Sequence, residues 1–145
     1  MNILLRISAI IGGLFGLFIV VALFIFFSTF SDMCGNRIST MMESPKKEWN
    51  IVVFERDCGA TTDFSTQISI LRKNQELPNS AGNIFSADSG HGSAQINEKG
   101  VIYVEPLWIN SRTISIKYDS EATAFYQENE FNGITIRFER VKVGA

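Results

Sequence analysis

Residues 49–56 read WNIVVFER, and the run Ile51, Val52, Val53, Phe54 within it is apolar at four successive positions. A strand turns neighbouring side chains to opposite faces, so such a run suits a strand covered on both sides. Working outward, residues 66–72 (TQISILR) alternate, with Ile68 and Ile70 set against Gln67 and Ser69. Residues 112–118 place Ile114, Ile116 and Tyr118 on one face and Thr113, Ser115 and Lys117 on the other. Residues 134–140 repeat that pattern with Ile134, Ile136 and Phe138. Period-two alternation is the signature of a strand with one buried face.

Two further segments fit the same class. Residues 101–109 (VIYVEPLWI) are strand-like, but Pro106 has no amide to donate, so an edge strand or a bulge is expected there. Residues 84–87 fit a short extra strand, and Asn110-Ser111 a turn. Residues 120–129 read two ways: Ala122, Phe125 and Tyr126 share one face of a short helix, or the segment is an irregular strand. The expected class is mainly β: a small antiparallel β-sandwich or open barrel over residues 49–145. Residues 32–48, rich in Gly, Asn, Ser and Pro and without periodicity, are expected to be a linker.

Upstream lies a stretch of another kind. Residues 7–31 (ISAIIGGLFGLFIVVALFIFFSTFS) carry no charge, following a tail of residues 1–6 that contains Arg6. At 1.5 Å per residue, about 20 helical residues cross a hydrocarbon core of about 30 Å, so a transmembrane helix is expected over 7–31. A cleaved signal has a shorter apolar core and a small-residue cleavage site, and no A-x-A pattern follows this run, so a retained signal anchor fits better. Asp32 and Met33 before Cys34 disfavour a lipidated cysteine. Arg6 is balanced by Arg37, Lys46 and Lys47, so the positive-inside rule is close to a tie. The very short tail and two downstream cysteines favour an exported C-terminal domain. Gly12 and Gly16, with Ala9 and Gly13, have the small-xxx-small spacing that lets helices pack closely, although glycine is common in membrane helices in any case.

The chain has 13 basic and 15 acidic residues and no basic block, which argues against a nucleic-acid partner. No phosphate loop, nucleotide fingerprint or nucleophile elbow is present, and no cofactor or metal is expected. The candidate chemistry gathers in FERDCGATT, residues 54–62, with Arg56, Asp57, Cys58, Gly59, Thr61 and Thr62. Cys58 is either a thiol made reactive by nearby Arg56 or one half of a disulfide to Cys34, and two cysteines in a small exported domain favour the disulfide. A bond to Cys34, three residues past the apolar run, would also seat the domain close to the bilayer. His91, in DSGHGS, is the single histidine. Paired with Asp88 it is a weak catalytic candidate, and a solvated loop histidine is the plainer reading. Glu55, Asp57, Asp63 and Glu105 offer carboxylates that no spacing singles out. Trp49 suits a core or an interfacial site, and Trp108 a core site.

The strings FERDCGATT, Ser44-Pro45, STQISIL at 65–71, GNIF at 82–85 and ISIKYD at 114–119 resemble a family of small bacterial envelope proteins that begin with a lipoprotein signal or a membrane helix. The resemblance implies an inner-membrane, single-pass protein with its C-terminal domain on the periplasmic side, and it implies no activity. The expected function is a membrane-anchored, non-enzymatic binding or accessory module. Its expected partners are the lipid bilayer and another envelope protein, or itself through the helix. The alternatives are a small enzyme or thiol-active protein centred on Cys58 or His91, and a subunit of a membrane complex.

Overall fold

A computed structural model describes residues 3–30, 34–59 and 64–144; within the N-terminal helix, side chains are described at Ile3, Ile7 and 10–26. The chain divides into two compact units, Met1–Met33 and Cys34–Ala145.

In the first unit α1 runs Ile3–Phe30. No proline interrupts it, and the large apolar residues described along it are exposed. Among the described residues no helix is long and apolar enough to cross a membrane. The described stretch 10–26 rises about 25 Å, short of a core of about 30 Å. The span expected over 7–31 is therefore not carried by the described residues.

Among the described residues the second unit holds nine strands: β1 (Gly35–Glu43), β2 (Trp49–Asp57), β3 (Ser65–Arg72), β4 (Phe85–Asp88), β5 (Val104–Asn110), β6 (Thr113–Asp119), β7 (Thr123–Gln127), β8 (Glu130–Phe131) and β9 (Ile134–Val141). They form two sheets, ordered β1-β2-β3-β4-β7 and β5-β6-β9-β8. All pairs are antiparallel except β6 with β9, which run parallel. After β6 the chain leaves its sheet to form β7 in the other sheet, and returns through β8 to lay β9 parallel to β6. The return turn at Asn132-Gly133 has positive φ at both residues, the conformation for which a tight hairpin selects Asn-Gly.

The two sheets share one core. Trp49, Ile51 and Val53 from β2, Ile68 and Ile70 from β3 and Phe85 from β4 meet Ile114, Ile116 and Tyr118 from β6 and Ile134 and Ile136 from β9. Phe85 stacks on Phe138 and tilts against Tyr118. Trp49 belongs to this core, edge-on to Phe131 and capped by the Arg72 guanidinium 4.0 Å from its ring centre. β2 is buried on both faces, as its apolar run requires: Val52 and Phe54 enter a second cluster with Leu71 and Leu77 on the outer side.

Two expectations change. Residues 35–43, read as linker, form edge strand β1 along β2. An extra residue between Ile38 and Thr40 bulges this strand, so Ile38 and Met41 fall on the same outer face and the two-residue period is lost. Residues 123–127, read as helix or irregular strand, form β7, with a register shift where Phe125 has no partner on β4. Pro106 lies on edge strand β5, where a missing amide is tolerated.

Candidate functional site

The second cluster exists because residues 73–83 cross the outer face of β2 and β3 as a strap, tied down by side-chain amides. Asn36 Nδ2 donates to the carbonyls of Pro78 and Ser80 at 2.9 and 2.8 Å. Gln67 Oε1 accepts from the Gly82 amide. Asn83 exchanges two bonds with the backbone of Ile70, imitating a strand residue beyond the end of β4. Gly82 is required at its place, since a Cβ there would stand 2.7 and 2.8 Å from the carbonyl oxygens of Phe85 and Ile68.

The strap buries Phe54 and Val52 but stops short of β1. Between them lies an open groove of about 630 Å³. Its apolar lining is Ile38 and Met41 on β1, 49% and 52% exposed, with Leu77 on the strap. Its rim is mostly amides, Asn36, Asn74, Gln75 and Asn79, with the charged Lys73 and Glu76 among them. Lys73 on that rim bonds Glu43 at 2.8 Å, and this bond holds the Glu43 carboxyl below the ordinary glutamate value. The volume falls in the range of ligand-binding clefts. Its residues escaped the sequence reading; the available signal was Leu77, a lone large apolar residue in the polar stretch 73–83.

The FERDCGATT string brackets β1 to β2. Glu55 is buried, and its Oε2 accepts from Arg37 Nε at 2.7 Å on the strand opposite. Arg56 Nη1 donates to Asn36 at 2.7 Å, and so braces the residue that holds the strap. Asp57 accepts from the Gly59 amide, and Gly59 takes a positive φ. Cys58 is bonded to Cys34, leaving no free cysteine. The bond lies one step beyond the Gly35–Asp57 pair and closes the open end of the two-strand ladder. Thr61 and Thr62, with Asp63, lie outside the described residues. Glu55 and Arg56 of this string are thus occupied in joining β1 to β2, and Asp57 in the turn that follows β2.

The remaining candidates are not brought together. Asp88 accepts from the Gly90 amide at 2.8 Å, while His91 stands exposed at positive φ. Among the described residues no group of His, Cys, Asp and Glu could hold a metal ion. Trp108 packs against the core with its indole N–H buried and without a partner. A Cβ added at Gly12 or Gly16 would meet nothing, so both positions are open on α1. Glu105 accepts from the Tyr103 hydroxyl, which raises the tyrosine's pKa.

These features define a disulfide-bonded, two-sheet β domain preceded by an apolar helix, with an open groove between an edge strand and a strap. No family model, no curated protein and no solved structure matches the chain.

Proposed function

We propose that the protein is a membrane-tethered, non-enzymatic binding or accessory module of the bacterial cell envelope, with the β domain on the extracytoplasmic side. The observation that carries the reading is the distribution of apolar residues around α1. At about 100° per residue, Ile10, Ile11, Ile19 and Val20 point in four directions, and all four are exposed. A helix apolar on every side needs an apolar surrounding, and acyl chains supply one without a partner of fixed shape. The backbone helix of 28 residues rises about 42 Å, and the charge-free run 7–31 exceeds the length a bilayer core requires. The Cys34–Cys58 bond supports an oxidising compartment. Ligand contact is assigned to the groove of Ile38, Met41 and Leu77, whose amide-rich rim offers hydrogen bonds and carries one residue of each charge, Lys73 and Glu76.

The test is fractionation of the full chain in a bacterial host. Retention in membranes after alkaline carbonate washing, with the domain open to protease in spheroplasts but not in intact cells, supports the tether. Recovery in the soluble fraction, or protection in spheroplasts, overturns it. A photoreactive residue at Met41 tests the groove, with one at exposed Thr135 on β9 as control. Labelling no stronger at Met41 than at the control removes the groove from the reading.

A further inference from the structure

A second surface differs from the groove in chemistry. β7 closes the first sheet and pairs only with β4, so its other edge is open. Its extra residue is Phe125, which is 63% exposed. A bulge re-aims a side chain, and here it turns outward a large apolar residue that regular pairing would have placed on a sheet face. Tyr126 beside it is 43% exposed and donates its hydroxyl to Glu128 at 3.0 Å. Two adjacent aromatics at a sheet edge form a rigid contact of the kind that anchors protein interfaces.

The surrounding charge is mostly acidic. Between Lys117 and Arg137 the sequence has no basic residue and carries Asp119, Glu121, Glu128 and Glu130. The whole chain has a net charge of only −2, so the acidity is concentrated here and the remainder is net basic. Asp119 is buried and accepts from the Glu121 amide; Glu121 and Glu130 are exposed and Glu128 is half-buried. Asp88, opposite Thr123 in the ladder, adds another carboxylate. The nearby cation is Arg140, whose Nε donates to the Tyr118 hydroxyl and whose guanidinium lies over that ring.

We propose that the β7 edge is a docking site for a cationic polypeptide segment of a partner, with Phe125 as the apolar anchor and Glu121, Glu128 and Glu130 as the charge counterparts. Lys or Arg stems pack on the aromatic rings while their heads meet the carboxylates. The same carboxylates repel phospholipid headgroup phosphates. They also repel a second copy, because an antiparallel pairing of two β7 edges sets acidic flank against acidic flank. The bulge interrupts the ladder, so recognition runs through side chains rather than strand addition.

The test uses the full chain in phosphatidylcholine nanodiscs, with empty nanodiscs as background. The probe is a fluorescein-labelled decapeptide with a central leucine flanked by lysines, and its counterpart has glutamate in place of lysine. Anisotropy should show binding of the lysine peptide alone. The binding should weaken about tenfold in Phe125→Ala and by a similar factor in the triple variant E121Q/E128Q/E130Q, and fall steeply between 0.05 and 0.5 M salt as the Debye length shrinks from roughly 14 to 4 Å. Phe125→Ala leaves every charge in place, so equal binding by that variant would reduce the effect to general acidity and overturn the proposal. So would absence of binding, equal binding of the glutamate peptide, or a dimer of the unmodified chain that Phe125→Ala dissolves. Should Phe125→Ala shift the unfolding midpoint, the triple variant decides alone.

Discussion

Removing the Cys34–Cys58 bond separates two ways in which it could stabilise the domain. The cysteines are 24 residues apart in sequence. Closing a loop of that length restricts the unfolded chain by about 3.5 kcal/mol at 25 °C in the loop-entropy relation. The folded state keeps much of what joins the strands: the ladder from Gly35–Asp57 onward, the Arg37–Glu55 pair and the Asn36–Arg56 bond. The cost of C34S/C58S should therefore fall on the unfolded side, at about 3.5 kcal/mol, or a drop of about 15 °C in Tm for a domain near 110 residues. The assay is urea and thermal unfolding of the full chain in detergent, followed by near-ultraviolet circular dichroism, with reductant added to the unmodified protein as a second route to the same state. Native-state amide exchange supplies the discriminating measurement, and the β1 amides that face β2 should stay protected in the double variant. A loss under about 1 kcal/mol would refute the entropic argument. A full loss accompanied by exchange of these β1 amides at the rate of an unfolded chain would show instead that the bond holds the native strand in place.

Phe54→Ala should cost about 3–5 kcal/mol, since the side chain is fully buried beneath the strap. Leu77→Ala should cost about 1–2 kcal/mol; strict additivity of the two in a double-mutant cycle would mean that the strap does not rest on Phe54. Gly100→Ala should destabilise by about 2 kcal/mol or more, because the residue sits at positive φ and its new methyl would run into the Glu55 carboxylate; urea midpoints unchanged from the parent would contradict that packing. Glu43 has a carboxyl pKa lowered first by its hydrogen bond from Lys73, so the stabilisation of this clasp is present above the unfolded value of 4.5 and fades as pH falls through the lower folded value. A carbon-detected NMR titration should return Glu43 to its ordinary value in Lys73→Met, and no change there would remove the clasp.

How much was legible in the sequence followed from whether each strand kept its period. Ile114, Ile116 and Tyr118, and likewise Ile134 and Ile136, alternate without interruption and lie in the shared core as read. The unbroken run from Ile51 to Phe54 announced a strand covered twice, which the strap fulfils. β1 was hidden because its bulge puts Ile38 and Met41 three residues apart on one face, a spacing that no alternating template accepts. In β7 the extra Phe125 brought Ala122, Phe125 and Tyr126 into helical spacing, hence the ambiguity between helix and strand. The groove depends on both β1 and the strap. It was illegible because residues 35–43 and 73–83 are polar locally and acquire meaning only when the register brings Leu77 beside the outer face of β1.

The bulges that obscured the sequence also bear on how the domain meets other molecules. A two-sheet domain has four exposed edges, each a template for unwanted pairing unless interrupted. β1 is bulged at Ser39, and the Ser39 carbonyl takes a hydrogen bond from Lys99 Nζ at 3.0 Å. β5 carries Pro106 and shifts register after Trp108. β8 is two residues long. β7 shifts register at Phe125. An interruption at each of these four edges, by bulge, proline or shortness, argues against main-chain association and for recognition through side chains. The apolar side chains left in the open are then the informative ones, and they fall into distinct settings. Ile38 and Met41 face an amide-rich rim with one residue of each charge, whereas Phe125 and Tyr126 stand among carboxylates. The two occupants proposed above, one for each setting, would not compete for the same residues.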